Sequence, residues 1–340
     1  MLTDKQWRNK STHMSWRPTL KQILWHKHKG YIDSFTHEVV AGWAKYEGKP
    51  TELILCVNNE KIVLHACLER KDLTKKNYPP CAFRHKLTLL PHFDYHIKIM
   101  FPDGTILGKP FVLHRCRRYE LASQFLNGQG IEIGALHRPL RVPTHAHVQY
   151  VDRMDKVSIL SHYPELKTVP LVTPDIIDDG ESLKSIPDNS LNFVIANHFL
   201  EHTEDPIFTL KTFARVLKNN GIIYLGIPEK DLNCDQNRPL TTIEHLKRDH
   251  ESGPEISRKE HYLEYITCVE KVQPTELETH LQKRINERYS IHFHVWSKAS
   301  ILEFFTWVIV EYRLALKIKR VLRNKIDETK EVIIIVQKTM

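Results

Sequence analysis

Gly130-Ile131-Glu132-Ile133-Gly134-Ala135-Leu136-His137-Arg138-Pro139-Leu140, followed by Val148-Gln149-Tyr150-Val151-Asp152-Arg153, decides how the chain folds. Two short apolar runs bounded by turn residues read as buried parallel strands. The first ends in Glu132 and a tight Gly134-Ala135 turn, the second in the carboxylate of Asp152. Ligands of an open α/β sheet sit outside the carboxyl ends of its strands. A glycine turn after one strand and an acid closing the next therefore make a nucleoside-binding pair: the glycine lets backbone approach the ligand, and the acid accepts both hydroxyls of a ribose. The competing reading of Asp152 is a helix N-cap.

Working outward, the same texture continues. Residues 119–126 have helical spacing and precede the first strand. An amphipathic stretch at 157–163 follows Asp152, then a strand near 169–172 runs on to Asp178-Asp179-Gly180. Residues 190–197 read as a strand, 206–217 as a helix with apolar Ile207, Leu210, Phe213 and Val216, and 222–227 as the next strand after Asn219-Asn220-Gly221. Alternation of strand and helix implies a mostly parallel, Rossmann-like sheet with right-handed crossovers. At the far end a helix over 297–310 is followed by strands at 312–319 and 331–337, too close in sequence to be anything but an antiparallel hairpin. Residues 231–293 are too long and too polar for a simple crossover and read as an insertion that shapes an acceptor pocket.

These residues resemble a known family. Glu-Ile-Gly-Ala-Leu with Pro139-Leu140, Tyr150-Val151-Asp152-Arg153-Met154, His162-Tyr163-Pro164-Glu165-Leu166, Ile195 to His202 with Asp205-Pro206, and Arg215-Val216-Leu217-Lys218 before Gly221 look like a class I S-adenosylmethionine-dependent methyltransferase of the type 11-like subgroup. The likeness covers roughly the last two-thirds of the chain. The usual pattern has two further glycines where this sequence carries Leu136 and Arg138, and a subgroup shares the Ala-Leu-His reading. The resemblance implies S-adenosylmethionine as cofactor. It would be held by Glu132, Gly134 and Ala135 at its amino acid end, by Asp152 with Arg153 at its ribose, by Asp179 with Gly180 at its adenine, and by Asn197 near the methyl. For Asp179 a surface turn is the competing reading.

His198 follows the fourth strand beside the place the methyl would occupy. Methyl transfer is an in-line displacement at a sulfonium, so the protein aligns the acceptor and, for a hydroxyl, removes its proton. Histidine titrates near neutral pH and suits that task. In the insertion, His245, His261, His292 and His294 accompany Glu244, Asp249 and Glu260, and His245 and His261 join His198 as catalytic candidates. Three imidazoles with carboxylates are a metal-binding chemistry. Among 21 histidines, however, such groupings also arise as polar pocket walls, which is the reading adopted, with no metal assigned.

Residues 30–114 read differently, as short alternating segments at 38–44, 52–57, 61–66, 86–90, 96–100 and 111–113 separated by Asn58-Asn59, Pro79-Pro80, Pro91 and Asp103-Gly104: a small all-β sandwich. Gly30-Tyr31-Ile32-Asp33, Gly42-Trp43-Ala44 and Arg70-Lys71-Asp72-Leu73 resemble a sandwich module attached to bacterial glycosyltransferases and glycan-modifying methyltransferases. That resemblance implies either a docking or sugar-binding module or a spacer in which Trp43 fills a core.

The net charge of +8 is unevenly spread, since the first 30 residues hold seven lysines and arginines against Asp4. The nearly neutral remainder argues against a nucleic-acid-binding surface. Residues 1–29 read as a basic arm meeting anionic lipid headgroups or an acidic partner, or else as a solvated leader. No apolar run reaches the roughly 18 residues of a membrane helix, and the N-terminus lacks the apolar core of a signal peptide. Six scattered cysteines without a Cys-x-x-Cys pair suit reduced, structural thiols, and with the preceding features give a cytoplasmic expectation. The reading reached is methyl transfer to a glycan or glycan-precursor hydroxyl in polysaccharide biosynthesis. Two rivals stay open: an inactive scaffold in polysaccharide assembly, and a methyltransferase acting on a protein or small metabolite.

Overall fold

Period-two alternation governs the first part of the chain. In this computed structural model, which describes residues 27–90, 93–114, 116–324 and 330–340, the chain divides into two compact units, Met1–Glu120 and Leu121–Met340. The first holds seven strands: β1 (His28–Phe35), β2 (Val39–Tyr46), β3 (Lys49–Val57), β4 (Glu60–Ala66), β5 (Ala82–Lys86), β6 (Tyr95–Met100) and β7 (Phe111–Leu113). All pair antiparallel in one continuous network, β1-β2-β3-β6-β7, with β4 on β3 and β5 on β2. Every second residue of β3 (Leu53, Leu55, Val57) turns into a core shared with Val40, Leu64, Phe83, Ile97 and Ile99.

Two expectations shift here. The strand placed at 86–90 begins earlier: Ala82–Lys86 pairs with residues 39–43, and the amides of Leu87 and Leu89 then follow to Glu38 and His37. β1 starts at His28, inside the stretch assigned to the basic arm, whose residues 1–26 lie outside the described residues. The separated motifs of this unit meet in space. Arg70 grips Asp72 with two nitrogens at 2.7 and 2.9 Å and also pairs with Asp33. Trp43 packs with Tyr78 against Leu73, Cys81 and Ala82, the core-filling outcome.

The second unit follows the strand–helix alternation. α1 (Lys71–Thr74) belongs to the first unit and α2 (Arg117–Phe125) leads into the second, whose sheet holds β8 (Gly128–Ile133), β9 (Ala146–Asp152), β10 (Ile176–Ile177), β11 (Leu191–Asn197), β12 (Leu217–Pro228), β13 (Leu316–Asn324) and β14 (Glu331–Lys338). Its order is β10-β9-β8-β11-β12-β14-β13. The first five strands are parallel and β14 runs antiparallel to both its neighbours. The order reverses at β8, with β9 on one side and β11 on the other, which makes their carboxyl ends the binding edge.

Helix α3 (Lys156–His162) follows β9, and α4 (Pro206–Val216) joins β11 to β12. Asp205 caps α4 by accepting the Phe208 amide at 2.9 Å, and Pro206 takes the first helical position, where no donor is needed. Ile207, Leu210, Phe213 and Val216 give α4 one fully buried stripe against the sheet. Arg215, on the other side, binds the carbonyls of Ser182, Leu183 and Ile186 and the carboxylate of Asp188. The family-like Arg-Val-Leu-Lys stretch is thus a structural clamp.

No strand forms at 169–172. Pro170 and Pro174 remove the ladder donors there, and the third strand shrinks to Ile176-Ile177 beside Val151 and Asp152. The hairpin also starts later than expected, because α8 (Lys298–Glu311) is closed by a turn with Arg313 in the left-handed region before β13 begins at Leu316. The insertion is helical: α5 (Ile243–Ser252), α6 (Arg258–Tyr265) and α7 (Leu277–Asn286). Among the described residues no helix is long and apolar enough to cross a membrane.

Candidate active site at the carboxyl edge of the sheet

At the end of β8 the chain turns through Gly134 at φ +63°, where a side chain would meet nothing within 4 Å. The turn therefore faces open space, as a backbone cradle must. Glu132 is fully buried and both its carboxylate oxygens accept the Leu140 amide, at 2.9 and 3.0 Å. It ties the ends of the 134–140 loop together, so the acid of the motif shapes the cradle from below.

Asp152 closes β9. Its carboxylate accepts the Met154 amide at 3.1 Å, and burial pushes its carboxyl above the usual range. A partly buried carboxylate with most of its lone pairs unused is suited to donors from outside the protein. It borders a narrow cleft lined by Ala135, Leu136, Tyr150, Leu171 and Val172. Arg153 is exposed beside it and acts on Asp152 through its charge and its backbone amide.

After β10, Asp178 is taken up by its own turn, accepting the Asp179 and Ser185 amides and the Ser185 hydroxyl. Asp179 is exposed and accepts only the Glu181 amide at 2.8 Å; Gly180 beside it is buried. Glu181, which follows them, is pushed up to about 7 by burial and by the negative charges of Asp179 and Glu204.

β11 delivers Asn197 and His198. The Asn197 amide is buried and neither of its polar atoms has a partner, a costly state that a ligand would relieve. His198 has φ +51°, unusual for a residue with a side chain and typical of functional sites. Its Nε2 lies 3.1 Å from Glu331 Oε2 and its Nδ1 3.6 Å from Glu201 Oε1. Gly226 on β12 makes this possible, since a Cβ there would come within 2.4 Å of Glu331 and 2.7 Å of Asn197. Glu331 and Glu201 are both fully buried. Burial raises the Glu201 carboxyl, the His198 and His292 charges opposing it.

Glu331 is the residue missed by sequence reasoning. It reaches His198 through the pairing of β14 with β12, where it stands opposite Pro228. An acid at the start of an antiparallel last strand is the only local signal it gives.

The insertion closes over this edge through two polar groups. In one, His202 Nδ1 meets the Ile291 carbonyl at 2.8 Å, and burial drives its imidazole down to about 3. Beside it His292 bonds Asp235 at 2.6 Å; burial pulls His292 down, but Asp235 lifts it above its ordinary value. Buried Arg238 holds Asp235 and Glu264, each at 2.8 Å. In the other, His245 and His261 bring their Nε2 atoms to 3.0 Å, with Asp249 and His294 alongside. Burial and the neighbouring His245 charge hold His261 near 4. Neither His245 nor His261 bonds to or stacks on His198. The three catalytic candidates thus fall in two separate groups.

With this geometry in place, residues 130–225 match the Methyltransf_11 family, described as a methyltransferase domain. No curated protein matches the chain. Solved structures similar to it include an S-adenosylmethionine-dependent methyltransferase from Aquifex aeolicus, at 10% identity and a TM-score of 0.33 over 65% of this chain and 87% of that one. Another, from Methanosarcina mazei, shows 16% identity and a TM-score of 0.36 over 65% and 98%. Those likenesses are distant, and the assignment stands on the matched domain together with the site. Residues 130–225 carry a methyltransferase domain within an α/β Rossmann-like fold, and its cofactor is S-adenosylmethionine. The unpartnered Asn197 amide, the open face of Gly134 and the free lone pairs of Asp152 fit that group.

Proposed function

We propose that this protein methylates a hydroxyl of a glycan or glycan precursor, with His198 as the base. The observation that carries the base assignment is the clamp on the His198 ring. With Nε2–H donated to Glu331, the Nδ1 lone pair is left for an incoming proton, and its 3.6 Å separation from Glu201 is too long for that carboxyl to occupy it. S-adenosylmethionine supplies a methyl group on a positively charged sulfur. The acceptor oxygen forms the new bond to that carbon as the carbon–sulfur bond breaks, and the hydroxyl proton goes to His198 Nδ1. Buried Glu331 stabilises the imidazolium that results.

The glycan is supported by the sequence resemblance of the first unit to modules of glycan-modifying enzymes and by a shallow groove there lined by Asn58, Asn59, Lys61, His96, Lys98 and Phe111, side chains of the kind that take sugar hydroxyls and ring faces. A cytoplasmic place, a role in polysaccharide synthesis, and contact of residues 1–29 with anionic lipid or an acidic partner belong to the same reading. The scaffold alternative is favoured by one feature: Leu136, in the place of a family glycine, lines the cleft with its side chain. Incubating labelled S-adenosylmethionine and the protein with fractionated cell extract tests both. Label in the saccharide fraction is expected. Label confined to protein or small metabolites would replace the acceptor class, and no label together with no calorimetric heat on cofactor titration would favour the scaffold.

A further inference from the structure

We infer that His245, His261, His294 and Asp249 form a binding site for a divalent transition metal of the zinc class, fastening the helical insertion to the segment before α8. The donor set is three imidazoles and one carboxylate, which suits zinc. His245 and Asp249 are one turn apart on α5 and so share a face; His261 comes from α6 and His294 from the chain beyond α7. His245 Nε2 lies 3.0 Å from His261 Nε2 and 3.0 Å from Asp249 Oδ2, and His261 Nε2 lies 3.7 Å from the same oxygen. A tetrahedral zinc with bonds of about 2.0–2.1 Å sets its ligand atoms about 3.3–3.4 Å apart. The three separations bracket that spacing, and a ring nitrogen of His294 lies within 4.8 Å of those of His245 and His261.

An independent observation comes from His294. It is 1% exposed, its Nε2 meets the Glu204 carbonyl at 3.3 Å, and its Nδ1 is buried without any partner. A histidine that donates one ring N–H to a carbonyl presents a lone pair at the other nitrogen, the arrangement that metal-bound histidines adopt. The Ser257 hydroxyl donates to Asp249 Oδ2, the oxygen that faces His245 and His261, at 2.5 Å and fixes its position. A plain hydrogen-bonded cluster explains the His245–Asp249 contact and leaves His294 Nδ1 unsatisfied; a cation satisfies all four groups. Arg248, half exposed and 3.1 Å from His245 Nδ1, swings outward when that nitrogen carries the proton. The neighbouring Glu201, His202 and His292 are a weaker candidate, because the Glu201 oxygens bond neither imidazole. The imidazoles come from α5, α6 and the segment before α8, and neither His245 nor His261 bonds to or stacks on His198, so the metal holds structure and takes no part in methyl transfer.

The test is metal analysis of the full chain purified without a metal-affinity step, then chelation followed by reloading. About one zinc per chain is expected, or uptake of one equivalent of added Zn²⁺, with cobalt(II) giving the intense visible bands of a tetrahedral site. Chelation should lower the melting temperature, and Zn²⁺ but not Mg²⁺ should restore it. His245→Gln and Asp249→Asn should each weaken zinc binding at least tenfold while circular dichroism stays native, and His202→Ala should retain the metal. A chain that neither carries nor takes up zinc or cobalt overturns the proposal, as does metal that survives His245→Gln with His261→Gln or leaves with His202→Ala.

Discussion

In the proposed reaction Asp152 would serve binding and His198 chemistry. Removing the carboxylate in Asp152→Ala takes away a charge-assisted bond of about 1.5–3 kcal/mol. Calorimetry should show cofactor affinity falling more than tenfold at an unchanged melting temperature; unchanged affinity would remove the ribose role. His198→Ala should lower the maximal rate by about 10² to 10⁴ and leave cofactor affinity alone, since a base acts on the acceptor. Glu181 offers a pH signature. Its folded value near 7 stands above the ordinary 4.5, so its ionisation disfavours the fold. That penalty is absent below about pH 4.5, grows as pH rises, and is complete above about 7. Glu181→Gln should therefore raise stability at pH 8, by on the order of 2 kcal/mol, and change little at pH 4.5 in thermal melts. Asp152 and Asn197 were legible because a polar residue ending an apolar run marks a strand's carboxyl end. Glu331 was not, because its nearness to His198 depends on a strand register linking residues 133 apart.

Secondary elements were legible where one face dominates. The stripe of α4 and the runs of β8, β11 and β12 announce themselves, whereas the third strand was misplaced because Val169, Leu171 and Val172 look strand-like and only their prolines forbid pairing. The insertion was legible as a polar excursion, but the pairing of its charges was not, since nothing in the sequence aims Arg238 at Asp235 and Glu264. That buried ion network should be costly to break. Arg238→Met leaves buried Asp235 with His292 alone and Glu264 without its guanidinium, and a loss of about 3–5 kcal/mol is expected in denaturant unfolding. A loss below about 1 kcal/mol would show that solvent reaches Asp235.

Across the whole molecule, the change from period-two alternation to strand–helix alternation near residue 115 marked two units that share no core cluster. Every residue placed in the cofactor cradle lies in the second. A fragment of residues 114–340 should therefore fold and bind S-adenosylmethionine within about threefold of the full chain's affinity; a larger loss in calorimetry would mean the first unit contributes to the cradle.

The sheet order β12-β14-β13 also constrains how the chain can be made. β13 is synthesised first but pairs only with β14, which must slot in between β13 and β12. On the ribosome the nine-residue edge strand therefore emerges with no strand to join, an exposed template for unwanted pairing until residues 331–338 have cleared the exit tunnel. A nascent chain halted before that point lacks two strands, not one, and also lacks the carboxylate that steadies His198. Assembly of the sheet and completion of the proton-accepting pair are thus a single late event in the birth of the molecule.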